Sequence, residues 1–117
     1  MPRFVILEHD HPVLHWDLML EADAVLQTWR LAEPPEAGRA IDAVSLGEHR
    51  LAYLDYEGPV PGGRGNVRRW DAGNFADLAG STPQARRLAL EGGRIVGQVL
   101  LEQIELEKWQ FVWFKTT

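Results

Sequence analysis

Three of the four histidines in this sequence fall within residues 8–21, EHDHPVLHWDLMLE, and they are spaced against an aspartate. From Leu14 onward apolar and polar residues alternate, the period of a half-buried strand, which puts His15, Asp17, Met19 and Glu21 on one face. Leu14, Trp16, Leu18 and Leu20 then take the other face and belong to the core. A His-x-Asp pair, with His9 brought alongside by the turn that Pro12 favours, offers imidazole nitrogen and carboxylate oxygen to one divalent cation. The same cluster also describes hydrogen-bonded imidazoles on a surface loop and strand, and spacing alone leaves both readings open. With no cysteine in the chain, thiolate zinc sites, disulfides and a cysteine nucleophile are excluded, so a metal site has to be built from His and carboxylate.

The elements that position this cluster follow from the same periodicities. Residues 4–7 form a short apolar strand that delivers His9 at its end. Residues 21–24 make a hairpin connection, and residues 25–31 return as a strand carrying Trp29, the floor under the His-x-Asp face. Pro34 and Pro35 mark a loop running to Gly38. Residues 41–46 predict another strand, with His49 at or just beyond its end, where ligands are often presented; a lone histidine there is also an ordinary surface residue. Tyr53 follows, and PVPGGRGN is a loop whose glycines permit close approach to a ligand. It is no P-loop, because neither GK[ST] nor a helix follows. Residues 67–70 predict a strand ended by Asp71-Ala72-Gly73, and residues 75–84 a short helix. Residues 86–102 read as a hairpin turning at Glu91-Gly92-Gly93. In the last strand Trp109, Phe111 and Trp113 share a face, assigned to the core.

The 117 residues, 45% of them apolar, fit one domain spanning 1–117, and the strand count predicts a mainly β fold. The expected architecture is a compact antiparallel β-barrel, or a strongly bent sandwich, of about seven or eight short strands with one or two short helices. No apolar run approaches ~20 residues, and the opening MPRFVILEHD is too short a hydrophobic stretch for a signal peptide, so a cytoplasmic protein without membrane contact is expected. A net charge of -5 argues against a broad electrostatic footprint for duplex DNA.

Four separate motifs, in order, carry a resemblance to a known family. FVILEHDHPVLHWDLMLE resembles the pattern FVIQxHxARxLHYDFRLE of the 3′-phosphoesterase domain of bacterial DNA ligase D, a domain also found as a stand-alone protein. VLQTW, EHRLAYLDYEGPVPGG and WDAGNF follow at matching intervals, and together they span nearly the whole chain. The resemblance implies a β-barrel hydrolase that uses a divalent metal, manganese foremost and zinc as an alternative. Such an enzyme trims 3′ ends in non-homologous end joining, removing a terminal ribonucleotide and then the 3′-phosphate. It implies DNA or RNA/DNA 3′ ends as substrates and repair proteins (ligase, polymerase, Ku) as partners. Residue by residue, it puts His9, Asp17 and His49 on the metal, and makes His15 and Tyr53 catalytic.

The departures concentrate on groups that would hold an anion. Met19 stands where the family has an arginine, Glu33 where it has a basic residue, and Ile41 where it has another arginine. Methionine cannot form the bidentate phosphate contact of a guanidinium. Arg30, Arg64, Arg68 and Arg69 are candidate substitutes, with Arg64 and Arg69 assigned to phosphate binding in the first instance. Two readings follow: a phosphoesterase with a rebuilt phosphate pocket, weak or inactive on DNA ends, or a non-catalytic metal-binding module of a repair assembly. Arg64 and Arg69 pointing toward the His9, Asp17 and His49 centre favours the first; pointing away favours the second.

Overall fold

A computed structural model describes residues 1–116. Nine strands follow in order: β1 (Arg3–His9), β2 (His15–Ala22), β3 (Val25–Leu31), β4 (Ala40–Arg50), β5 (Gly58–Pro59), β6 (Asn66–Asp77), β7 (Ala85–Gly92), β8 (Val96–Glu105) and β9 (Lys108–Lys115). One 3-10 turn, Leu51–Leu54, lies between β4 and β5. The antiparallel order β1-β2-β3-β4-β9-β8-β7-β6 is closed by pairing of β6 with β1, so eight strands make a barrel and β5 adds a two-residue flap to β6. Closure leaves none of the eight with a free edge.

Strand alternation sorts the apolar side chains into two clusters. Trp16, Leu18 and Leu20 point inward with Phe4, Ile6, Leu101, Trp109, Phe111 and Trp113, filling the barrel. The outward side chains of the same β1 and β2, Val5, Leu7 and Met19, are buried differently. They pack with Leu26, Val67, Leu54 and Val60 beneath the segment that follows β4. Each such burial contributes about 1.5–3 kcal/mol, so the outer cluster is sufficient to hold that segment down on the barrel wall.

Four local expectations are corrected. Leu14 precedes β2 and is 49% exposed, so the inward row begins at Trp16. No helix covers residues 75–84: β6 runs on to Asp77, and residues 78–84 form turns before β7. Asp71 therefore does not end a strand. Its carboxylate caps the β7–β8 turn, while Gly73 lets the Glu91 carbonyl approach so closely that a Cβ would overlap it. The 3-10 turn at Leu51–Leu54 is the helical element among the described residues. Strand β4 also extends past Leu46, which a bulge against Thr28 and Trp29 absorbs, with Gly47 at φ 85°. No helix among the described residues is long and apolar enough to cross a membrane.

Candidate metal centre

The β1–β2 register closes on the pair His9↔His15, so the intervening turn does bring the two histidines together. Their rings meet edge to face with centroids 4.8 Å apart. Asp17, two residues along β2 on the same outward face, is 5% exposed. Ligand atoms of His9, His15 and Asp17 all lie within 4.8 Å of one another, the group of this kind found among the described residues. His49 stands outside that group. It lines the same cavity of about 220 Å³, together with Asp17, Met19, Arg30, Tyr53 and Arg64.

Backbone carbonyls fix how the imidazoles face the aspartate. His15 Nδ1 lies 2.8 Å from the Val13 carbonyl and His9 Nε2 lies 2.7 Å from the Arg64 carbonyl. A carbonyl oxygen only accepts, so those two nitrogens donate, and in neutral rings the other two carry lone pairs. Those lone pairs, on His15 Nε2 and His9 Nδ1, face Asp17 Oδ2 at 3.3 and 3.8 Å. Three acceptors turned on one point require a proton on an imidazole or a cation between them. A cation with bonds of about 2.0–2.2 Å has ligand-to-ligand edges of roughly 3–3.5 Å; the His15–Asp17 separation falls in that range and the His9–Asp17 separation is wider, and histidines held through their far nitrogen by carbonyls are the usual supporting arrangement for a metal ligand.

Other polar atoms around the cavity are unclaimed. Asp17 Oδ1, Arg30 Nε and His49 Nδ1 are buried with no hydrogen-bond partner among the described residues. Burial pushes the His49 imidazole below its ordinary pKa; Asp17 pulls the other way and Arg30 adds to the depression. The His49 ring is thereby kept neutral near pH 7, with a lone pair to offer. Tyr53, on the 3-10 turn, sets its ring edge-on to His49 with centroids 6.2 Å apart. A second depression of about 680 Å³ shares His49, Tyr53 and Arg64 and reaches Arg50, extending the cavity along the surface.

The glycine-rich loop serves the centre through its backbone. Gly65, at φ 75°, packs so tightly on Asp10 and His11 that any Cβ would clash, and Asn66 N donates to Asp10 Oδ1 at 2.8 Å. That approach is what places the Arg64 carbonyl on His9. Of the arginines assigned to phosphate, Arg64 lines the cavity with its Nε donating to the Pro61 carbonyl at 2.7 Å. Arg69 is not among the lining residues; its guanidinium reaches the Leu54 carbonyl at 3.4 Å. Arg30 enters the cavity from β3, directly across from Asp17. Another depression, about 850 Å³, lies where the β2–β3 turn meets Phe75 and Arg86, and no histidine is among the residues that line it.

The family model for the DNA Ligase D 3′-phosphoesterase domain matches residues 7–103, which include every residue of this centre. The chain belongs to that family. It is 32% identical over 121 residues to the multifunctional non-homologous end joining protein LigD of Pseudomonas aeruginosa, covering 96% of this chain and 14% of that protein. It is 31% identical over 114 residues to the multifunctional non-homologous end joining DNA repair protein LigD of Mycobacterium tuberculosis, covering 91% of this chain and 15% of the other. The LigD protein of Mycolicibacterium smegmatis is 28% identical over 122 residues, with 92% of this chain and 16% of that protein covered. The phosphoesterase-family chain thus spans 14–16% of the length of these relatives.

Proposed function

We propose that this chain is a metal-dependent phosphoesterase of the DNA ligase D type, acting on 3′-phosphate and 3′-ribonucleotide ends in end-joining repair. One observation carries the reading: two imidazole lone pairs, their tautomers fixed by backbone carbonyls, converge on one oxygen of a buried aspartate, and that aspartate and His9 line a cavity together with two arginines. Manganese is the first choice of ion, zinc the second. When bound, the ion supplies a Lewis acid for a phosphoryl oxygen and a means of activating water at neutral pH. His9 and Asp17 would hold it in either of two donor sets, completed by His15, which is nearest, or by the neutral His49. With His49 in the set, His15 is free to hold a proton at Nε2 toward the leaving oxygen, oriented by its bond to Val13. Tyr53 offers a hydroxyl on the same wall.

Manganese titration of His15→Ala and His49→Ala separates the two sets, since loss of a metal-binding donor lowers affinity by more than the ~10- to 100-fold of an outer-shell change. Turnover of a 3′-phosphate primer by the manganese-loaded protein tests the activity itself. A folded protein that binds no divalent ion at all would end this reading. The burial of Met19 in an apolar cluster favours a non-catalytic module instead, and metal binding without any turnover would decide for it.

A further inference from the structure

We propose that Arg30 is the anion-binding residue of this cavity, gripping the substrate's phosphate from β3 beside the ion held by His9 and Asp17. The inference rests on the reading of the site given above and names the group that recognises its substrate. Four other arginines are already committed: Arg3, Arg39, Arg68 and Arg86 each have a carboxylate oxygen within 3.0 Å. Arg30 is not. Its Nε stops 4.0 Å from Asp17 Oδ1, beyond hydrogen-bond reach, and both atoms are buried without a hydrogen-bond partner among the described residues. A side chain that lines the cavity cross-strand from a carboxylate, yet is not closed upon it, keeps its Nε–H for a ligand.

The neighbouring wall explains why charge enters from this strand. Met19, the next outward residue of β2 after Asp17, is 3% exposed and packed against Val5, Leu7 and Leu26, so β2 presents an apolar surface at that point. Arg64 lines the cavity too, but its Nε is occupied by Pro61. Arg30 is 40% exposed along its side chain, enough to meet a ligand and to be replaced without breaking the core. A planar fork suits two phosphoryl oxygens, which an ammonium cannot match in the same way.

Calorimetry on the folded full chain tests this with manganese first and inorganic phosphate second, comparing wild type, Arg30→Gln, Arg30→Lys and, as a surface control, Arg39→Gln. The expected result is phosphate binding by the manganese-loaded wild type and control, weakened about 10- to 100-fold in Arg30→Gln. Arg30→Lys falls between, and manganese affinity in Arg30→Gln stays equal or rises, because a positive charge beside Asp17 has gone. Unchanged phosphate affinity in Arg30→Gln overturns the proposal. So does a loss of phosphate that only follows a loss of manganese, which would make Arg30 a support for Asp17. If the wild type binds no manganese, the metal reading fails separately. Phosphate titration of the metal-free protein then judges Arg30 alone: binding lost in Arg30→Gln upholds it, and binding kept or never present overturns it.

Discussion

Asp17 and Asp71 are equally buried, each 5% exposed, and both sit on barrel strands, but their surroundings differ in what meets the carboxylate. Asp71 receives backbone N–H groups alone: Ala72, Gly93 and Arg94 donate to Oδ1 at 2.9, 2.7 and 3.0 Å, and Ile95 donates to Oδ2 at 2.8 Å. Asp17 is faced by side chains, with His15 at 3.3 Å, His9 at 3.8 Å and Arg30 at 4.0 Å, and its Oδ1 has no hydrogen-bond partner among the described residues. The first carboxylate has its acceptor capacity filled by the chain's own turn. The second keeps capacity for a ligand. Burial therefore does not separate a structural acid from a functional one here; the source of the hydrogen bonds does.

Replacing each aspartate should break the molecule in a different way. Asp71→Ala leaves the N–H groups of Gly93, Arg94 and Ile95 without their acceptor, and at about 1–3 kcal/mol for each buried donor the fold should lose roughly 3 kcal/mol or more. Urea unfolding reads this directly, and an unchanged midpoint would remove the structural role. Asp17→Asn should leave the unfolding midpoint almost unmoved, because among the described residues the hydrogen-bond partner of that carboxylate is a side chain, His15, and not a backbone group. Its manganese affinity should drop more than ~100-fold, beyond an outer-shell effect. If instead Asp17→Asn destabilises the protein and Asp71→Ala does not, the contrast between the two is reversed.

Met19 sharpens the comparison at the edge of the Asp17 cavity. Met19→Arg would place the positive charge on β2, but the side chain is 3% exposed within the outer cluster. Removing that packing while forcing a cation toward the cavity should cost about 1–3 kcal/mol in stability. Turnover of a 3′-phosphate primer should rise in the same variant if phosphate grip limits the natural protein. Stability unchanged with turnover unchanged would mean that the substituted side chain leaves the cavity for solvent.

Much of this arrangement was legible because it is local. Alternation in β2 placed His15 and Asp17 on one face and Trp16, Leu18 and Leu20 on the other, and the turn at Pro12 did pair His9 with His15. The inward row Trp109, Phe111 and Trp113 followed from alternation in the same way, whereas strand spacing left a barrel or a bent sandwich open and the pairing of β1 with β6 closes the barrel. Arg30 was also within reach. The tight β2–β3 turn pairs Ala22 with Val25, and stepping five residues back and five forward pairs Asp17 with Arg30. What alternation could not give is contact across long sequence intervals. Asp71-Ala72-Gly73 has turn chemistry, yet its partner is the turn at residues 93–95, so β6 continues where a break was expected. Residues 75–84 lacked a helix for the same reason: Phe75 and Ala76 pair with Leu90 and Ala89 in β7. Carbonyls from Val13 and Arg64 that set the histidine tautomers are invisible to any side-chain pattern.

The smallest effect is expected far from the cavity, where Arg86 joins three strands. Its Nε and Nη2 donate to Asp77 of β6 at 3.0 and 3.2 Å, and its Nη1 donates to Gln27 of β3 at 2.9 Å. The hydrogen bond from Arg86 holds the Asp77 carboxyl below the usual carboxylate range; burial opposes this and Ser81 adds a little to it. A carboxylate whose pKa is lower in the folded chain stabilises the fold above its ordinary value near ~4 and stops doing so as pH falls through the folded value. Asp77 is 48% exposed along its side chain, so solvent screening limits the contribution to less than about 1 kcal/mol. Asp77→Asn should therefore lower the unfolding midpoint slightly at pH 7, and the gap from wild type should close as pH falls through the folded value. A gap that stays constant with pH would show that the ion pair contributes through packing and neutral hydrogen bonds. The barrel end at Arg86 would then be as insensitive to charge as its interior.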